Sequence, residues 1–248
     1  VEYAEPLTDK IIDKVNNEIK PDVCVNLGDM IQASKNKEKD LANLEYIWKK
    51  LQGFNVPFYT LIGNHELKSV ESNKEIMDVL GYENATYGVD VNGYHLLFIG
   101  TDVNEEDEKY RTQYISDKDL AWIAEDLDAN SDKKVIIFSH FGIAEDEMKG
   151  NFYYDKNPEG GMIINREKLK EIYPFFEEYY TKVMESEQPI YNALQNVQET
   201  TMSVDYVPVT VGDKTVGVVI TCQSVKKIQQ IESQIRKKLS EKGLIANY

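Results

Sequence analysis

Three observations predict an α/β fold with a sheet covered on both faces. Short apolar strand patterns alternate with amphipathic helical ones, a strong hairpin signal sits mid-chain, and three separate apolar strands each end in polar groups. The elements follow in order. Leu7, Ile11, Ile12, Val15 and Ile19 recur at helical spacing and Pro21 ends that helix. The run VCVNL at 23–27 reads as a buried strand that enters Gly28-Asp29. A helix over about 39–52 places Leu41, Leu44, Ile47, Trp48 and Leu51 on one face and stops near Gly53. The strand VPFYTLI at 56–62 then runs into Gly63-Asn64-His65-Glu66.

A helix near 72–80 precedes strands at about 86–91 and 94–100, joined by Asn92-Gly93, the favoured two-residue hairpin turn. Ser116 and Asp119 make a capping-box-like start for a helix at 117–129. KVIIF at 134–138 is another buried strand, ending in Ser139-His140. Beyond 178 the texture turns β-rich, with 189–197, 200–211 and 215–225 reading as an antiparallel meander. A helix at 225–242 carries Val225, Ile228, Ile231, Ile235 and Leu239 as a narrow apolar seam suited to docking or homodimer formation.

Composition bounds the function. The chain has 248 residues and a net charge of −15, which argues against nucleic acid, because phosphate binding needs clustered Lys and Arg. Residues 1–178 hold 20 Lys/Arg against 36 Asp/Glu, and residues 179–248 hold 8 against 7. That shift predicts two modules, 1–178 and 179–248. No apolar run approaches the roughly 18 residues of a membrane span, so no membrane partner is expected. Two cysteines, Cys24 and Cys222, both in apolar stretches, suggest buried thiols and a cytoplasmic protein. The chain opens at Val1 without an initiator Met or a leader pattern, as expected of a fragment or processed product.

Ligands in α/β sheets collect at the carboxyl ends of strands, where Asp29, Asn64-His65-Glu66 and His140 all fall. Asp29, Asn64 and His140 are oxygen and nitrogen donors that, brought together, would hold a divalent cation such as Mn, Fe or Zn without a thiolate. His65 could face a leaving oxygen as general acid, with Glu66 orienting it. The structural alternatives are ordinary ones: a Gly-Asp turn after a strand for Asp29, a satisfied core histidine for His140. His95, inside the strand YHLLFIG, reads as structural, and Glu105–Glu108 as a solvated loop.

VNLGDM (25–30), LIGNHE (61–66) and IIFSH (136–140), in that order, resemble the calcineurin-like metallophosphoesterases over about residues 5–172. The resemblance implies a four-layer α/β sandwich in which metal ions activate water for attack on phosphorus in a small phosphorylated substrate. Carried over, Asp29 looks like the bridging carboxylate, Asn64 and His140 like ligands of one metal, and His65 like the residue that protonates the leaving group. Two family motifs have no counterpart here: an Asp-x-His would lie upstream of Val1, and no histidine follows His140 to supply a Gly-His-x-His. On these residues the sandwich is incomplete, and the expectation is weak single-metal binding with reduced hydrolysis. The stretches EQPIYNAL and VDYVPVTVGDKTVGVVITCQSV, with the helix after them, resemble the latter half of a PAS sensor domain from bacterial enhancer-binding transcription activators. That resemblance implies a small antiparallel sheet with a C-terminal signalling helix, and a non-catalytic regulatory role as the rival reading.

Overall fold

A computed structural model describes residues 4–143, 158–172, 188–197, 200–211 and 214–224, with single positions 186 and 238. The first helix, α1 (Ala4–Lys14), continues into one wider π turn over Val15–Ile19. Lys20 closes it in the left-handed conformation, φ 48°, donating its N–H to the Val15 carbonyl at 2.8 Å, and Pro21 follows. Strand β1 (Cys24–Asn26) pairs in parallel with β2 (Phe58–Thr60), and α2 (Lys37–Leu51) makes the crossover between them. Asn36 caps α2 by accepting from the Lys39 N–H.

The short helix α3 (Asn64–Leu67) and then α4 (Asn73–Leu80) come after β2. Strands β3 (Tyr87–Val91) and β4 (Tyr94–Ile99) form the expected hairpin, with Asn92 and Gly93 both at positive φ as its turn requires. Helix α5 (Asp117–Ala129) starts where Ser116 Oγ accepts from the Asp119 N–H, and β5 (Lys134–Ser139) runs parallel to β4. Helix α6 (Arg166–Ile172) and strands β6 (Ile190–Val197), β7 (Thr200–Val211) and β8 (Lys214–Ser224) complete the described elements.

The expected meander is present, but it does not stand as a sheet of its own. Strand β8 pairs antiparallel with β5 through Val135–Cys222 and Ile136–Thr221, giving one six-stranded sheet of order β3-β4-β5-β8-β7-β6. The edge of β5 left open by its parallel partner β4 is what accepts β8, a pairing no sequence pattern announces. The seam expected at 225–242 and the module boundary expected at 178 lie outside the described residues, apart from position 238.

Three apolar clusters order the layers. Leu44 of α2 packs with Ile62, Leu67, Ile76, Met77 and Leu80. Leu61, Leu96 and Phe98 fill the space between the two sheets with Val25, Tyr59, Tyr87 and Phe138 around them. Leu97, Ile99 and Val135 meet Leu120, Ile123 and Leu127 of α5. The order is therefore helices, small sheet, large sheet, helices. Strand β4 faces both ways: after Tyr94 every residue is buried, Leu96 and Phe98 toward the small sheet and Leu97 and Ile99 toward α5.

His95 lies on that same strand, fully covered, and is structural as expected. Its Nδ1 lies 2.8 Å from Asp90 Oδ1 and its Nε2 2.7 Å from Asp126 Oδ2, which ties α5 to the hairpin. Carboxylates only accept, so both contacts are satisfied in full when each ring nitrogen carries a hydrogen.

Candidate metal centre

Strands β1, β2 and β5 end at one rim of the sandwich, and the polar residues that follow them meet there. Gly28 makes the first turn at φ 97°, a conformation that only glycine adopts without strain. Asp29 follows at φ 57°, in the left-handed region for a residue with a Cβ, at a cost of order 1 kcal/mol. What holds it there is Glu66. The Glu66 carboxylate, fully buried, accepts from the N–H groups of Gly63 at 2.8 Å, Asp29 at 2.9 Å and Ile31 at 3.2 Å, so one side chain clamps the loops after β1 and β2 together.

Burial pushes the Glu66 carboxyl up from its ordinary range and the Asp29 charge adds to this, while the three backbone donors pull the other way. This arrangement corrects the expectation that Glu66 orients His65. All the described contacts of its carboxylate are to backbone N–H groups, and the His65 ring meets other partners.

Gly63 is needed for a different reason. A Cβ there would fall onto Asp29 Oδ1, 2.6 Å from the Asp29 nitrogen and 2.8 Å from His140 Cε1. The absent side chain is what lets the three segments close.

Asp29, Asn64 and His140 are brought together at this rim. His140 Nε2 stands 3.2 Å from Asn64 Oδ1 and 3.6 Å from Asp29 Oδ1. His140 Nδ1 is 2.7 Å from the Leu27 carbonyl oxygen, which can only accept, so Nδ1 carries the hydrogen and Nε2 in the neutral ring presents a lone pair. In that neutral form Nε2 can serve as a ligand together with Asn64 Oδ1 and Asp29 Oδ1, which lie 3.2 and 3.6 Å from it. The Leu27 carbonyl behind His140 is the outer support usual for a metal-ligating imidazole. The donor set fits a hard or borderline divalent ion. Among the described residues no group of three or more His, Cys, Asp and Glu side chains gathers in this way, because the third donor here is the Asn64 amide.

His65 stands beside this group. Its backbone N–H donates to Asp29 Oδ1 at 2.9 Å, and its Nε2 is 4.0 Å from Asp29 Oδ2. Its Nδ1 lies 3.1 Å from Gln32 Nε2 and 3.3 Å from the Ala33 backbone nitrogen. The loop that supplies those partners is anchored at its far end by Asp40, a buried carboxylate of α2 that accepts from the Ser34 N–H and hydroxyl. Sequence reasoning missed Gln32, Ala33 and Asp40. The loop 30–35 has no periodicity, and nothing in the apolar pattern of the helix over 39–52 marks Asp40 as buried.

With this geometry in place, the class is set: an α/β sandwich whose strand ends gather Asp29, Asn64 and His140 beside His65. The calcineurin-like phosphoesterase family matches over residues 5–181, and the chain belongs to that family. It is also similar to a probable glycerophosphodiester phosphodiesterase GpdQ from Arcobacter nitrofigilis, 26% identical over 142 residues, which is 56% of this chain and 49% of that protein. The chain thus spans about half the length of that curated relative.

Proposed function

We propose that this chain carries the metal- and substrate-binding core of a metal-dependent phosphodiesterase. One observation carries the reading: His140 Nε2 lies 3.2 Å from Asn64 Oδ1 and 3.6 Å from Asp29 Oδ1 at the carboxyl ends of strands, with the His65 imidazole alongside. A divalent cation supplies Lewis acidity toward a phosphoryl oxygen and makes water a stronger nucleophile at neutral pH. Asp29, Asn64 and His140 hold the cation, with Mn, Fe and Zn all suited to these donors. His65 assists the departing oxygen. Glu66 fixes the Asp29 backbone, and the Leu27 carbonyl fixes the His140 ring. The named activity of the Arcobacter relative favours a phosphodiester over a phosphomonoester as substrate.

The test is hydrolysis of an aryl phosphodiester and an aryl phosphomonoester with and without Mn(II). The diester is cleaved faster, and Asp29→Ala and His65→Ala each lower turnover by about a hundredfold or more, in line with losing a group that acts at the reacting centre. Wild-type protein with no Mn(II)-dependent turnover above the blank defeats the enzymatic reading. What then remains is the regulatory alternative, a binding scaffold followed by a PAS-like segment. Its support is the three-stranded antiparallel run of β6, β7 and β8 together with the sequence pattern of the tail.

A further inference from the structure

Asn64 and His140 reach the metal centre from different sheets. His140 follows β5 of the large sheet, whereas Asn64 opens α3, which comes after β2 of the small sheet. The 3.2 Å between Asn64 Oδ1 and His140 Nε2 therefore depends on where α3 lies relative to the large sheet. A helix of 4 residues is too short to be held by its own bonds. Glu66 fixes its N-terminal end, but the described bonds of that carboxylate run to Gly63, Asp29 and Ile31, all on the small-sheet side.

Arg111 holds the other end. Its guanidinium donates from Nη1 to the Leu67 carbonyl at 3.3 Å and from Nη2 to the Val70 carbonyl at 2.6 Å. The last carbonyls of a helix have no partner within it, and a planar cation with several donors can satisfy two at once. Arg111 belongs to the loop that leaves β4. That loop is closed by its own backbone bonds, from the Asp102 N–H to the Tyr114 carbonyl at 2.8 Å and from the Asn104 N–H to the Arg111 carbonyl at 2.7 Å. Strand β4 in turn lies beside β5, with Ile99 opposite Ser139, the residue before His140. Among the described residues, the hydrogen bonds that join 64–70 to the large-sheet side are those of His140 and Arg111.

We propose that Arg111 is a positioning residue for the metal centre. Through the Leu67 and Val70 carbonyls it ties α3 to the large sheet, so that Asn64 is held opposite His140 before any cation arrives. Arg111 is not itself a ligand and acts through Asn64. Its effect on metal affinity rests on the metal-centre reading given above, while its hold on α3 can be measured in metal-free protein.

The test uses the full chain with Arg111→Lys and Arg111→Ala, checked for folding by circular dichroism. Lysine keeps an aliphatic stem and the charge but replaces the fork by a point donor, so it carries the test where the alanine variant does not fold. With Mn(II) affinity read by electron paramagnetic resonance, both variants should bind about tenfold or more weakly, the range seen when an outer support of a ligand is lost. Guanidinium ion at millimolar concentration should restore much of the affinity of Arg111→Ala. In an Asn64→Ala background, Arg111→Ala should cause no further loss, because its effect passes through the side chain already removed. Unchanged Mn(II) affinity in the folded variants overturns the proposal. So does a loss that adds in full to that of Asn64→Ala, the behaviour of a residue that only supports the fold.

In the metal-free proteins, amide hydrogen exchange at 64–67 should quicken in Arg111→Lys while that of β4 stays as in the wild type. Equal exchange at 64–67 in the two proteins also overturns the proposal. Wild-type protein that binds no Mn(II) counts against the metal-centre reading, and the exchange measurement then decides alone whether Arg111 holds α3.

Discussion

Asp40 does for the loop what a ligand does for a metal: it gathers donors from a segment that has no regular structure. Burial alone raises its pKa, but the Ser34 hydroxyl and backbone N–H, helped by Ser69, outweigh this and hold the carboxyl below its usual range. A carboxylate whose folded pKa is depressed adds stability above its unfolded pKa and loses it as pH falls through the folded value. Asp40→Asn should therefore be less stable than wild type at pH 7, by about 1–3 kcal/mol for the loss of a buried charged acceptor. The gap in urea midpoint between the two proteins should close as the pH falls below the ordinary aspartate range. A gap that stays constant on acidification would show that the charge plays no part.

The elements matter here chiefly for what they leave out at their ends. Strands β1 and β2 are three residues each, so their parallel pairing ends before Gly28 and Gly63, and the two loops approach each other closely enough for Glu66 to bond to both. Gly63 has no room for even a methyl group, because the space that its side chain would take is filled by Asp29 and His140. Gly63→Ala should keep the helices and strands, lose about 1–3 kcal/mol through overpacking, and separate the three ligand atoms. Circular dichroism and Mn(II) titration followed by electron paramagnetic resonance would check both halves. Wild-type Mn(II) affinity in a folded Gly63→Ala protein would refute the close-packing account of the site.

At the scale of the whole molecule, the site joins segments separated by more than a hundred residues, since the Leu27 carbonyl meets His140. A cation that binds only when β1, β2 and β5 are assembled must stabilise the assembly, by about 2.7 kcal/mol at a hundred times its dissociation constant. For a domain of this size that corresponds to roughly 2–4 °C in Tm for each kcal/mol. Mn(II) should raise the melting temperature of the wild type and leave that of His140→Ala nearly unchanged. Equal shifts in both proteins would place the bound ion elsewhere.

Much of the fold was readable from periodicity and turn chemistry. Asn92-Gly93 dictates its hairpin because few other dipeptides take positive φ twice, and the helix from Asp117 to Ala129 begins at its Ser116 cap as expected. Asp29, Asn64, His65 and His140 stood out because three separate apolar strands end in them, at the strand ends where ligands of α/β sheets collect. Tertiary structure alone decided three things. It turned Glu66 toward backbone donors and away from His65, brought Gln32 and Ala33 against the His65 ring, and joined β8 to β5. The physical reason is shared by all three. A local pattern encodes which face of an element is buried, whereas hydrogen-bond partners distant in sequence are chosen only when packing has placed them within 3 Å or so of each other.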